Sequence, residues 1–132
     1  MYDQQRIQSF HDLTVWQRSI ELCVAIYEFT RTFPSDELYG LRSQLRRASV
    51  SIPSNIAEGR GRRSKGEFIQ FLGIARGSNN EVQTQLAIAA KLNFGFEADR
   101  LHCLQLSTEV SKMLASLINS LLNSKPPGRN HP

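Results

Sequence analysis

An all-α fold, an antiparallel four-helix bundle, is what the sequence predicts. Three observations carry that prediction. Apolar residues recur at three- and four-residue spacing through four long segments. No segment alternates over a useful length with the period of two that a half-buried strand requires. Short turn-forming strings separate the segments, and helices joined so closely bury their apolar stripes most simply against antiparallel neighbours. The 132 residues, 40% of them hydrophobic, suit one domain with one core. The reading assigns residues 1–12 to a polar leader, 13–124 to the bundle and 125–132, "KPPGRNHP", to a disordered tail.

The first helix spans Leu13 to Phe33, with a capping box at Thr14-x-x-Gln17 and Asp12 as rival N-cap. Leu13, Trp16, Ile20, Val24 and Tyr27 share one stripe, taken as its core face. In "FPSDEL", Pro34 stops this helix, Ser35 caps the next, and Asp36 and Glu37 suit its positive end. The second helix keeps Leu38, Leu41, Leu45, Ala48, Ile52, Ile56 and Gly59 in one register across Pro53. Proline removes the amide that would bond the Ser49 carbonyl, at a cost of about 3 kcal/mol. It also biases Ile52 away from helical angles, so two short helices meeting at Pro53 are the rival. The unbroken apolar phase favours one long helix bent at Pro53, with Ser49, Ser51 and Ser54 near the freed backbone.

Gly59 and Gly61 are read as the end of the second helix. Ser64-x-x-Glu67, directly before Phe68, is the strongest capping box in the chain. The third helix carries Phe68, Phe71, Leu72, Ala75, Val82, Leu86 and Ala89 through "GSNN" (77–80), poor helix material, to a stop at Gly95. The fourth runs from Glu97 to Asn123 with Cys103, Leu106, Val110, Met113, Leu117 and Leu121 aligned.

Three helices carry further apolar residues off these stripes. They are Val15, Leu22, Ile26, Phe29 and Phe33 on the first, Ile74, Ile88 and Leu92 on the third, and Leu104, Ile118 and Leu122 on the fourth. Such rows either widen the core face or mark an interface. On successive helical turns they are expected to form a homo-oligomer interface.

Chemistry is nearly absent from the sequence. His11, His102 and His131 are scattered without metal-ligand spacing, and no ExxH pair occurs. "GRGRRSKGE" lacks the preceding strand and the spacing of a phosphate-binding loop. The expectation is no enzyme, no cofactor and no metal. The N-terminus lacks a signal-peptide core and no apolar run spans a bilayer. Cys23 and Cys103 stand alone, as thiols of a reducing cytosol do. A cytoplasmic protein without membrane contact is expected.

Charge is more informative. Residues 42–76 hold eight of the sixteen Lys and Arg against Glu58 and Glu67, a local excess of +6 in a chain of net +4. Arg42, Arg46, Arg60, Arg62, Arg63 and Lys65 are read as one helix face and its adjoining turn. Arg47 sits on another flank, suited to pairing within the bundle. The face is either a solvated surface or a contact for RNA or DNA phosphates, aided by the helix start at Ser64. No aromatic residue interrupts the run, so reading of unstacked bases is not indicated. A protein-interaction scaffold, with a protein partner in place of nucleic acid, is the alternative.

The strings "FHDLTVWQRSIELCVAIYEFTRTFP", "ELYGLRSQLRRASVSIPSNIAEGRGR" and "EFIQFLGIARGSNNEV" carry a resemblance across essentially the whole domain. With "VWQ", "SIPSNIAEG" and "ARGS" in combination, the chain closely resembles a family of bacterial four-helix bundle proteins. Its first named members are encoded in intervening sequences of large-subunit ribosomal RNA genes. The resemblance implies a left-handed up-down-up-down bundle with proline inside helix two, and assembly into a pentameric ring. A related accessory protein of diversity-generating retroelements forms a basic pentameric barrel associated with nucleic acid and a reverse transcriptase. The resemblance implies no catalytic residues.

Overall fold

The computed structural model describes residues 10–124 and contains four long helices and no strand among them. Residues 1–9 of the expected leader 1–12, and the whole expected tail 125–132, lie outside the described residues. Phe10–Asp12 form a 3-10 turn that contacts the first and second helices. The helices are α1 (Thr14–Thr30), α2 (Leu41–Arg60), α3 (Lys65–Leu92) and α4 (Glu97–Asn123). Each packs on two neighbours: α1 and α3 both contact α2 and α4. Cross-helix bonds fix the directions. Cys23 meets Ser49 while Thr30 meets Arg46, and Asn79 meets Ser107 while Lys65 meets Ser124. One number rises as the other falls, so these neighbours are antiparallel.

The core is a continuous apolar column that includes Leu22, Ile26, Phe29, Leu45, Ile52, Ile56, Leu72, Val82, Leu86 and Leu114. On α1 this overturns the expected orientation. Val15, Leu22, Ile26, Phe29 and Phe33 point inward, whereas Ile20, Val24 and Tyr27 are exposed. Leu13 and Trp16 of the expected stripe still pack against the core, and the stripe with two phenylalanines takes its centre because burying it strands no tyrosine hydroxyl. Phe29 and Phe33 meet edge to face, and Phe94 closes on Phe33. Gly95, at φ +75°, lies where a Cβ would come within 2.5 Å of Phe29. Its role is this close approach; the left-handed stop of α3 is Asn93, at φ 59°.

Helix boundaries follow from which groups satisfy the ends. The Thr14-x-x-Gln17 box does not form: Leu13 is the N-cap, and Gln17 donates to the His11 carbonyl. Ser35 opens a 3-10 turn, and the Glu37 carboxylate accepts from the Leu41 amide at 2.8 Å. α2 therefore starts at Leu41 and leaves Leu38 exposed. The Ser64 box does form, with Ser64 Oγ accepting from the Glu67 amide at 3.1 Å.

α2 is one helix through Pro53, and the ring is buried. The Ser49 carbonyl, which residue 53 cannot serve, accepts instead from the Cys23 thiol of α1 at 3.0 Å. Burial pushes the Cys23 pKa up to about 11, so the thiol keeps the proton it donates. Farther along the core, polar side chains bridge three helices. Ser51 of α2 meets Ser78 of α3 at 2.9 Å. Fully buried Asn79 donates to the Ser107 carbonyl and accepts from its hydroxyl at 2.7 Å. The stretch that is poor helix material by propensity is thus retained by these partners.

Urea denaturation of a double-mutant cycle tests the thiol's role. Cys23→Ala alone is expected to cost about 1–2 kcal/mol, by leaving a carbonyl unsatisfied. In a Pro53→Ala background the restored amide serves Ser49, and the cost shrinks by at least about 0.5 kcal/mol. Additive costs would refute the link.

Candidate nucleic-acid interface

The cations of α2 fall into two groups at opposite ends of the helix. Arg42 and Arg60 are 18 positions apart, about 27 Å at 1.5 Å per residue. At the N-terminal end, Arg42 Nη2 donates to the Phe33 carbonyl at 3.0 Å. Arg46 donates to Thr30 Oγ1 at 2.9 Å and to the Tyr27 carbonyl, and its guanidinium lies 4.4 Å from the Tyr27 ring centre. These arginines supply donors to backbone and hydroxyl oxygens where α1 runs out, a place that favours positive charge. Expected at a phosphate surface, they serve first as caps of α1. Arg47, expected to pair inside, is exposed.

At the other end, α2 and α3 approach closely because Gly59 has no side chain. A Cβ there would come within 2.6 Å of Phe71 Cβ. Gly59 thus acts inside the helix, and Gly61 is the C-cap. Arg62 pairs with Glu58 at 2.8 Å and lies over the Phe71 ring, its guanidinium 4.8 Å from the ring centre. Lys65 Nζ donates to the carbonyl and hydroxyl of Ser124 at 2.9 and 3.1 Å, tying the α2–α3 turn to the end of α4. Arg60 is half-buried at the end of α2. Arg63 is exposed and makes no hydrogen bond or ion pair with any described residue.

The turn thus gathers Arg60, Arg62, Arg63 and Lys65 beside the capped start of a 28-residue helix, whose amide end is positive. The local structure holds Arg62 and Lys65 in place, and leaves Arg63 to solvent. Sequence reasoning found these four and grouped Arg42 and Arg46 with them. It missed the Arg18–Glu109 pair that links α1 to α4, because no local spacing announces a contact between residues so distant in sequence. Among the described residues, no group of three His, Cys, Asp or Glu side chains could hold a metal ion. No helix of the described residues is long and apolar enough to cross a membrane.

The expected oligomer surface is partly overturned. Val15, Leu22, Ile26, Phe29, Phe33 and Ile118 are buried within the single chain, so they are core. Ile74, Ile88, Leu92, Leu104 and Leu122 are exposed. The outer face of α1 adds Ile20, Val24 and Tyr27, and α2 adds Val50.

Residues 11–116 match the family described as 23S rRNA-intervening sequence protein. A crystal structure at 1.70 Å, of a protein with unknown function from the S23 ribosomal protein family of Bacteroides thetaiotaomicron VPI-5482, has a similar fold. The TM-score is 0.71 at 28% identity, over 80% of this chain and 98% of that one. No curated protein matches the chain.

If Arg46 is a cap, Arg46→Ala should lower stability by about 1–3 kcal/mol in urea denaturation. Arg63→Ala, at a solvated position, should change it by less than about 0.5 kcal/mol. Equal effects would remove the distinction between the two ends.

Proposed function

The chain belongs to the 23S rRNA-intervening sequence protein family, and from this we propose that it is a non-enzymatic, self-assembling bundle that holds RNA or DNA by its phosphates. The observation that carries the reading is the turn of residues 60–65. Four cations stand there beside the N-terminus of α3, and Arg63 has no partner among the described residues. Arginine forks and a positive helix end both favour phosphate oxygens. Contacts to phosphate carry no sequence information, so binding is indifferent to sequence.

Self-assembly draws support from apolar side chains left outside. Ile20, Val24 and Val50 lie along α1 and α2, while Ile74, Ile88, Leu92, Leu104 and Leu122 lie on α3 and α4. Two different patches suit a head-to-tail contact, which closes into a ring when the rotation permits. A pentamer is the ring that the resemblance of the sequence implies. In a ring the cationic turn repeats once per copy, and weak contacts add through avidity. The same exposed patches also suit a scaffold that docks another protein.

Filter binding across a salt series tests the phosphate contact. Affinity should fall as salt rises, with a slope that shrinks by about 0.7–0.9 for each phosphate-contacting cation removed. Replacing Arg60, Arg62, Arg63 and Lys65 with Ser should abolish most binding, and unchanged affinity would reject the turn. Sedimentation tests assembly: Val24→Glu should give folded monomers, whereas Leu22→Glu, in the core, should unfold the chain. A wild type that sediments as a monomer would end the assembly proposal.

A further inference from the structure

The N-terminal half of α2 forms a ridge between two grooves, and both grooves are lined by Ser43 and Arg47. The groove toward α3, about 360 Å³, is walled by Tyr39, Gln44, Ser51 and Gln85. Tyr39 is 90% exposed, far more than an aromatic ring kept for packing. Gln85 holds a buried amide oxygen that meets no hydrogen-bond donor among the described residues. The groove toward α1, about 450 Å³, contains Tyr27 and the Arg46 guanidinium stacked over it, fixed by its bond to Thr30. Together the two grooves present three arginines, Arg42, Arg46 and Arg47, against one carboxylate, Glu81.

We propose that this ridge binds single-stranded nucleic acid, with an unstacked base on the Tyr39 ring and the adjoining phosphate on Arg47. An exposed ring beside an exposed arginine joins the two elements of single-strand binding, a stacking surface and a backbone charge. The Arg46 guanidinium, 4.4 Å from the Tyr27 ring centre, adds positive charge in the groove on the other side of the ridge. Duplex bases are already stacked on one another and cannot use the Tyr39 ring. The sequence alone shows no aromatic platform within the basic run, because Tyr39 lies before α2 and shares a groove with Arg47 only in the folded chain. The ridge rests on the reading that nucleic acid is the ligand, but it is a separate surface. Arg47 and Arg60 are about 20 Å apart along the helix.

Fluorescence anisotropy with a labelled 12-nucleotide oligouridylate and a labelled 12-base-pair RNA duplex, at one salt concentration, tests the proposal. Wild-type protein should bind the single strand at least tenfold more tightly than the duplex. Tyr39→Ala should weaken single-strand binding about tenfold or more and leave duplex binding unchanged. Tyr39→Phe, which keeps the ring, should bind like wild type. Tyr39→Ala binding the single strand as wild type does, or losing both ligands equally, overturns the ridge. The variant with Ser at Arg62 and Arg63 separates the two surfaces. If it alone loses binding, the turn stands and the ridge falls; if Tyr39→Ala alone loses single-strand binding, the ridge stands and the turn falls.

Discussion

A helix with proline at its centre keeps its course only if another group takes the carbonyl that the proline abandons. Here that group is the Cys23 thiol, which reaches from α1 to the Ser49 carbonyl. A thiol is a weak donor, but the alternative is a buried carbonyl without a partner. The contact also ties the middle of α1 to the middle of α2. Because α2 runs unbroken from Leu41 to Arg60, its two ends are carried to opposite ends of the bundle. The separation of Arg42 and Arg46 from the turn after Arg60 depends on that single rod.

The two ends use arginine differently. At the start of α2, Arg42 and Arg46 turn inward to oxygens at the end of α1, and their charge answers a helix terminus. At the far end, Arg62 and Lys65 are braced by Glu58, Phe71 and Ser124, while Arg63 stays in water. A net positive segment is therefore not one surface. Part of its charge is consumed in closing the fold, and the remainder is displayed.

The parts of this structure legible in the sequence are those that local chemistry decides. Ser64 and Glu67 are three residues apart, and their cap forms as the spacing implies. The apolar phase through Pro53 and through residues 77–80 is continuous, and α2 and α3 are continuous too. What was not legible depends on distant partners. Two apolar stripes on α1 satisfy the same periodicity, and only packing against the other helices selects the one bearing Phe29 and Phe33. Arg42 and Arg46 resemble free cations until the oxygens at the end of α1 arrive beside them. The signal available for the first was polarity: the Phe29 stripe carries no polar side-chain atom, whereas the other carries an indole N–H and a tyrosine hydroxyl.

The buried pairing of Asn79 with Ser107, and of Ser51 with Ser78, has a geometric consequence. Hydrocarbon contacts alone tolerate sliding, since one leucine can replace another a turn away. An amide cannot be displaced by the 5.4 Å of one turn without stranding both its donor and its acceptor in oil. These pairs act as a vernier that holds α3 at one height against α2 and α4. The wall that Glu81 and Gln85 of α3 give to the groove beside α2 is thereby kept at one height.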